Sequence, residues 1–198
     1  NAWVIPALGQ LRESHPEIEV EVITTDANLD LARGEADVAV RFGPRPTQES
    51  LVVRHLTELD ECIYASRELV TRLGRPTDYA GVAAFPIISD RAGTGRFSTW
   101  LTDNVPNARV AHRVSTLSGV LAAVRTGLGV AVLPCLMGDE LKGLVRLMPP
   151  IDELSTSAWL VTTDEARRQP HIRAVIDEVV ARIAGRTARS DGHEALRA

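Results

Sequence analysis

The stretch Glu19–Gly43, EVEVITTDANLDLARGEADVAVRFG, decides the fold because it shows the pattern of a strand, a helix and a second strand within 25 residues. From Glu19 to Ile23 polar and apolar side chains alternate, which predicts a half-buried strand. Asp26 or Asn28 can cap a short helix after it. The run Asp37–Arg41, which is rich in β-branched residues, predicts the second strand.

The helix between these strands ends at Gly34, a residue type that is common just past a helix end. Two strands so close in sequence, with a helix between them, should run parallel and be joined by a right-handed crossover. Polar groups at the strand ends then meet at one edge of the sheet. Since open α/β sheets bind ligands at that edge, the stretch predicts an α/β fold with a binding site there.

Two later segments also show strong patterns. Residues 115–134, STLSGVLAAVRTGLGVAVLP, predict a helix that Gly127 closes and a buried strand after it. The last helix should bury one apolar face, with Val175, Val179 and Ile183 towards a sheet, and end at Gly185. The remaining predicted elements are a first helix ended by His15 and Pro16, a short helix RELVTRLG, and the strands LVVRHL, ECIYAS, FPIISD, ARVAHRVS and SAWLVTT.

The composition is that of a globular protein, with 44% hydrophobic and 24% charged residues among 198. This length allows one ordinary domain or two small lobes. A net charge of -4 argues against nucleic-acid binding by this chain alone. No stretch approaches the length of a membrane span. Cys62 and Cys135 each lie in an apolar run, which favours reduced core thiols, and hence a reducing compartment, over a bridge or a reactive site.

Catalytic motifs are missing from the sequence. It contains no nucleophile elbow, P-loop, zinc-protease helix or closely spaced cysteine pair, so we predict no enzyme activity, no metal site and no cofactor. The acidic residues Asp26, Asp30, Glu35 and Asp37 are interpreted as a helix cap and a solvated face rather than as acid-base groups.

A binding site has better support. Thr24 and Thr25 should end one strand, Arg41 its neighbour, and Thr116 and Ser118 should begin a helix whose free N–H groups can hold a small carboxylate. Two alternatives stay open. The hydroxyls at the helix start can serve capping alone or capping with ligand contact, and Arg41 can bind a ligand or pair with a nearby acid.

The motifs HPEIEVEV, LDLARGEADVAVRFG, ELDECIYASREL, STLSGVLAAVRTGLGVAVLP and AWLVTTDEARRQPHIRAVIDEVVARI occur in this order over nearly the whole chain. Together they resemble the effector-binding domain of LysR-type transcriptional regulators, in the branch similar to the glycine-cleavage activator. The resemblance implies a two-lobe type 2 periplasmic-binding-protein-like α/β fold, with mixed sheets, flanking helices and a two-strand hinge. It places residues 1–60 and 160–185 in the first lobe, 61–159 in the second, and 186–198 in a flexible tail.

The resemblance also implies a ligand site in the cleft between the lobes, lined by Thr24, Thr25, Arg41, Ser89, Arg91, Thr116 and Ser118. Leu117 departs from the family, in which a polar residue is often found at this place. Arg41 and Asp26 suggest an anionic or zwitterionic effector.

The implied protein is a cytoplasmic bacterial regulator that forms a homodimer or a higher homo-oligomer. It would bind DNA only through a helix-turn-helix domain upstream of Asn1, and no membrane partner is expected. A solute-binding protein of a transport system, which shares this fold, is the alternative.

Overall fold

The computed structural model describes residues 4–25, 27–90 and 95–194, with side chains up to Ile183. The helices are α1 (Val4–Ser14), α2 (Arg67–Leu73), α3 (Arg96–Asn104), α4 (Leu117–Arg125), α5 (Cys135–Gly138) and α6 (Pro170–Glu194). The strands are β1 (Val38–Phe42), β2 (Leu51–Leu59), β3 (Glu61–Ser66), β4 (Ile87–Asp90), β5 (Val110–Val114), β6 (Ala131–Pro134), β7 (Leu144–Arg146) and β8 (Thr156–Thr163).

The chain divides into two compact units. Unit 1 contains the chain up to Glu58 and from Thr156 onwards, and unit 2 contains Leu59–Ser155. The chain therefore passes between the units twice, after Glu58 and after Ser155.

Unit 1 contains a three-stranded sheet in the order β1-β8-β2. β1 runs antiparallel to β8, and Arg41 lies opposite Trp159 in the register. The indole of Trp159 donates a hydrogen bond to the carbonyl oxygen of Gly43 at 2.9 Å, which fixes the end of β1. β2, which contains the predicted strand LVVRHL, lies at an edge of this sheet.

The predicted parallel pair within Glu19–Gly43 is wrong. Residues 19–23 form no strand, and β1 pairs antiparallel with β8 instead. The predicted helix is a single 3-10 turn, Leu31–Arg33, whose cap is Asp30 rather than Asn28, while Asp26 lies outside the described residues. Gly34 does end the turn, with φ of 77°.

The last helix is longer than predicted, because α6 continues past Gly185 to Glu194. Residues 195–198 of the predicted tail lie outside the described residues. Within α6, Ile172, Val179 and Ile183 are buried. The helix packs against α1 and against the 3-10 turn Ala166–Arg168 that precedes α6. Val179 and Ile183 are therefore buried as predicted and Val175 is half-buried, but the main described partner of α6 is the helix α1 rather than a sheet.

Unit 2 is built around β3, which lies between β6 and β7 in a sheet where both neighbours run antiparallel to it. Both faces of β3 are buried. Ile63 and Ala65 join one apolar cluster, while Cys62 and Tyr64 join the other. This arrangement explains why ECIYAS is almost continuously apolar, since alternate side chains point to opposite faces of a strand.

A second, two-stranded sheet in unit 2 places β4 parallel to β5. It joins the first through a bridge between Ile87 of β4 and Val130, just before β6. A Cβ atom at Gly129 would lie 2.4 Å from the carbonyl oxygen of Pro86, so glycine allows the two backbones to approach each other. The helix α4, the closing glycine Gly127 with φ of 73°, and the strand β6 agree with the prediction for residues 115–134.

Candidate functional site

The two parallel strands of unit 2 end side by side, with Asp90 opposite Val114. Ser89 is only 2% exposed near the end of β4. Its Oγ lies 2.5 Å from Oγ of Ser98 on α3, and the Ser98 hydroxyl donates to Oδ1 of Asp90 at 2.5 Å. The Ser89 hydroxyl also donates to this Oδ1, at 3.2 Å. Two serines and one carboxylate thus form a compact polar cluster where β4 ends and α3 begins.

Glycine lets α3 begin close to this carboxylate. A Cβ atom at Gly95, the residue that caps α3, would lie 3.1 Å from Oδ1 of Asp90. The Arg113 guanidinium donates to the backbone oxygen of Asp90 at 3.2 Å and so ties β5 to the end of β4. The predicted site residue Arg91 lies outside the described residues.

The start of α4 follows the end of β5 directly. The Thr116 hydroxyl accepts a hydrogen bond from the backbone N–H of Gly119 at 3.2 Å, so Thr116 is the cap. The Ser118 hydroxyl is exposed and lies 3.3 Å from that of Thr116. Of the two predicted hydroxyls, one caps and its neighbour faces solvent, which is the arrangement in which capping and ligand contact can coexist. Leu117 is 44% exposed beside them.

Gly119 is a requirement of this turn that the sequence analysis missed. A Cβ atom at this position would lie 2.6 Å from Cγ1 of Val114 and 3.1 Å from Oγ1 of Thr116. The first turn of α4 can therefore lie against the end of β5 only because residue 119 has no side chain.

Both helices that begin at this edge, α3 and α4, are nine residues long and start close to the ends of β4 and β5. Helix starts present N–H groups and a partial positive charge, while Asp90 adds a negative charge beside Ser89. The set can therefore hydrogen-bond both an anionic and a cationic group of a small molecule. Ser98 and Asp90 were not predicted as site residues; the pairing of strand ends that brings them to Ser89 depends on tertiary structure.

The site residues predicted in unit 1 are Thr24, Thr25 and Arg41. Thr24 and Thr25 lie in the chain before the 3-10 turn, and the Arg41 side chain contacts the same loop. The Arg41 guanidinium donates to the carbonyl oxygen of Leu29 at 2.8 Å rather than to an acid, so it holds that loop against β1. The Thr25 hydroxyl accepts from the backbone N–H of Ala27 at 3.0 Å. Thr24 and Thr25 are exposed.

Two cavities accompany these features, one in each unit. In unit 2, about 260 Å³ lies along α3 and β5, next to Ser98 and Arg113. In unit 1, about 470 Å³ lies among β2, β8 and α6, and four arginines line it: Arg54, Arg167, Arg168 and Arg173. Acids offset two of these charges, because Arg167 pairs with Asp164 and Arg173 with Asp177.

Among the side chains that the structure describes, no group of three or more His, Cys, Asp or Glu residues is placed to hold a metal ion. Of the helices in the described part of the chain, none has the length and apolar character needed to cross a bilayer.

Comparison with known proteins gives a consistent result. The family described as LysR substrate binding domain matches residues 1–184. The Mau operon transcriptional activator of Paracoccus denitrificans is 26% identical over 181 residues, which are 91% of this chain and 57% of that protein. The AmpR activator of Rhodobacter capsulatus is 28% identical over 149 residues, or 75% of this chain and 50% of that protein. The chain thus spans about half the length of these curated relatives.

Solved structures show the same fold. The CrgA regulatory domain from Neisseria meningitidis aligns with a TM-score of 0.76 at 18% identity, covering 91% of each chain. The effector domain of AmpR from Pseudomonas aeruginosa aligns with a TM-score of 0.73 at 21% identity, covering 96% of this chain and 92% of the other.

Proposed function

Because this chain belongs to the LysR substrate-binding domain family, we propose that its effector is a small anionic or zwitterionic molecule that binds at the ends of β4 and β5. The chain is the effector-binding domain of a LysR-type transcriptional regulator, and its fold is the predicted α/β class with a type 2 periplasmic-binding-protein-like architecture. Its relatives are transcription regulators rather than enzymes or transport proteins, so the transport alternative is set aside.

One observation carries the proposed ligand class. Hydroxyls of Ser89, Ser98 and Ser118 lie where two strands end and two helices begin, beside the Asp90 carboxylate. Helix starts favour an anionic group, and the carboxylate favours an amino group. An amino acid or a related zwitterion satisfies both. Arg41, Thr24, Thr25 and Arg91 are proposed as effector contacts on the family resemblance.

Isothermal titration calorimetry with a panel of amino acids, small carboxylates and neutral apolar analogues tests this proposal. Ser98→Ala and Ser118→Ala should each weaken binding by about 2- to 12-fold, the effect of losing one hydrogen bond of ~0.5 to 1.5 kcal/mol. Thr71→Ala is the control, because it also removes an exposed helix hydroxyl, one that bonds only its own helix at Arg67. A clear preference for a neutral apolar ligand would contradict the proposed class, and unchanged affinity in both serine variants would remove this edge from the site.

A second set of variants tests the arginine. Arg41→Ala should weaken binding by about 1.5 to 3 kcal/mol if the guanidinium makes a charge-assisted bond to the effector. A urea melt of the same variant measures the separate cost of losing the bond to Leu29. Arg168→Ala is the control in the arginine-lined cavity, and loss of binding in this variant alone would move the anion site there.

The partners and location of the whole protein are also proposed. We propose that a helix-turn-helix domain upstream of Asn1 binds the DNA, which agrees with the net charge of -4 on this chain. The effector would bind one conformation of a homodimer or higher homo-oligomer better than another and so shift their populations. A cytoplasmic location follows from this role. Light scattering that gives a monomer at high micromolar concentration would argue against self-association by this domain.

A further inference from the structure

Two cysteines that are 73 positions apart meet inside unit 2. Cys62 lies on β3, and Cys135 is the first residue of α5. Their Sγ atoms are 2.6 Å apart without a bridge between them, and the side chains are buried, at 0% and 5% exposure. Sulfurs joined in a disulfide lie about 2.05 Å apart, so bond formation needs little movement.

The backbone around both residues is held in place. Cys62 lies opposite Leu133 in the antiparallel pair of β3 and β6. Leu133 is two residues before Cys135 in the chain. The backbone N–H of Cys135 then donates to the carbonyl oxygen of Asp60 at 2.8 Å. Strand pairing therefore positions the backbone of Cys62, and a backbone hydrogen bond positions that of Cys135. Both backbones are fixed where the sulfurs lie close together.

We propose that Cys62 and Cys135 form a redox site, at which a hydroperoxide converts the two thiols into a reversible intramolecular disulfide. Disulfides in reducing compartments are usually transient and serve catalysis or sensing, which fits two buried thiols that are unbridged but adjacent. The site lies within unit 2 and uses neither the serines nor the helix starts of the proposed effector site.

The surroundings shift the pKa values of the two thiols in opposite directions. The pKa of Cys135 is lowered, because the Cys62 thiol donates a hydrogen bond to it and because the Arg146 guanidinium is near. The pKa of Cys62 is raised by the same hydrogen bond and by burial. Of the two thiols, Cys135 therefore loses its proton more readily. Cys135 is also the less completely buried of the two residues, at 5% against 0% exposure.

Polar groups near this pair include Tyr64, Asp139 and Arg146, and the Glu61 carboxyl is near enough for charge on Cys135 to raise its pKa. Arg146 and Asp139 form an ion pair, and the Tyr64 hydroxyl donates to Oδ1 of Asp139 at 2.7 Å. The same hydroxyl lies 3.5 Å from the carbonyl oxygen of Cys135. These contacts hold the short helix α5 next to β3, so the sulfurs stay close while both are reduced.

The oxidation is balanced in two steps. The Cys135 thiolate attacks one oxygen of the hydroperoxide, the O–O bond breaks, and an alcohol or water leaves after taking up a proton, which gives a sulfenic acid at Cys135. The Cys62 sulfur, after losing its proton, then attacks Sγ of Cys135, the S–O bond breaks, and water leaves. Two thiols and one hydroperoxide thus give one disulfide, one alcohol or water, and one further water. A dithiol reverses the reaction by thiol-disulfide exchange.

A soft metal ion is the other partner that two thiols can take, and the geometry argues against it. An ion about 2.3 Å from each sulfur would need the sulfurs to lie nearly 4 Å apart. The observed separation of 2.6 Å is too short for this, and the described side chains near the pair do not supply a third metal ligand.

The test uses the whole 198-residue chain. Reduced protein is treated with hydrogen peroxide under native conditions, denatured, and alkylated with N-ethylmaleimide. We expect the mass of the oxidised chain to show no alkyl groups, against two for the reduced chain, and peptide mapping to join Cys62 to Cys135. Dithiothreitol should restore both alkylation sites. Two alkylated thiols after peroxide treatment, or a cross-link between two chains, would overturn the proposal.

Two single variants separate the proposed roles. Cys62→Ala should stop at the sulfenic acid, which dimedone traps at Cys135. Cys135→Ala should leave Cys62 a thiol, and it is the matched control because it removes one buried sulfur of the same pair. Dimedone labelling of Cys62 in Cys135→Ala at the rate seen for Cys135 would reverse the assignment of the nucleophile. If either variant does not fold, the cross-link measured in the unaltered chain still decides the proposal.

Discussion

Glu61, at the start of β3, should make the stability of this domain fall as the pH rises. The pKa of its carboxyl group is raised from 4.5 to about 8, chiefly because the group is buried and next because of the negative charge on Cys135. Asp60 also raises the pKa, while the Arg96 guanidinium lowers it. At neutral pH the folded protein therefore holds a proton on Glu61 that the unfolded chain has released.

The direction of the change in unfolding free energy with pH follows from this difference in bound protons. Between pH 4.5 and about 8 the folded state binds one more proton than the unfolded state, so each unit of rising pH lowers the free energy of unfolding by ~1.4 kcal/mol. The contribution is fully present below pH 4.5 and is lost above about 8. The full span corresponds to about 5 kcal/mol, and structural relaxation around the charge reduces this, so we expect a loss on the order of 2 to 4 kcal/mol.

Glu61→Gln removes the titration and keeps the shape of the side chain. Urea unfolding of the variant and the parent from pH 5 to pH 9 should give similar stabilities at pH 5, and a variant that is more stable by about 2 kcal/mol or more at pH 9. Glu49→Gln is the matched control, because it makes the same change at an exposed carboxylate that is not among the groups that shift the pKa of Glu61, and it should change stability by less than ~0.5 kcal/mol at either pH. A stability difference between Glu61→Gln and the parent that does not change with pH would refute the reasoning.

Three further outcomes are expected. Val179→Asp should lower the free energy of unfolding by several kcal/mol because it buries an unpaired charge, whereas Arg182→Asp on the exposed face should change it by less than ~0.5 kcal/mol in the same urea melt. Gly119→Ala should cost about 1 to 3 kcal/mol through overpacking, while Gly9→Ala, which meets no atom within 4 Å, should stabilise by ~0.5 to 1 kcal/mol. Oxidation of the cysteines removes the ionisable thiol of Cys135, whose negative charge raises the pKa of Glu61, so the pH transition of the oxidised chain, followed by thermal melts, should move to lower pH; an unmoved transition would disprove this coupling.

Local patterns predicted the elements that carry their own stop signals. The helix α2 ends at Gly74, which has φ of 83°, and α4 is followed by Gly127, which has φ of 73°. At these positions glycine adopts a positive φ at little steric cost, so the end of the helix is visible in the sequence. The buried strand β3 was equally clear, because both of its faces are apolar.

Pairing between distant segments could not be predicted in this way. Residues 19–23 have the alternation of a strand, yet a strand exists only where a neighbour accepts and donates its backbone hydrogen bonds, and the described residues provide none there. β1 takes β8 as its neighbour, although Val38 and Thr162 are more than a hundred positions apart. In the same way, no local pattern in the sequence indicated that Cys62 would contact Cys135, or that Ser98 would contact Ser89.

The burial of β3 on both faces explains why its few polar groups matter. A buried charge or hydroxyl is costly without a partner, so each such group on this strand should be neutral or hydrogen-bonded. Tyr64 donates to Asp139, Ser66 caps α2, and Cys62 lies against Cys135. Glu61, which is half-buried, avoids the cost by keeping its proton at neutral pH, a state that a negative charge on Cys135 favours. Because a negative charge on Cys135 raises the pKa of Glu61, we expect oxidation of the proposed cysteine pair to change the stability of unit 2 near neutral pH.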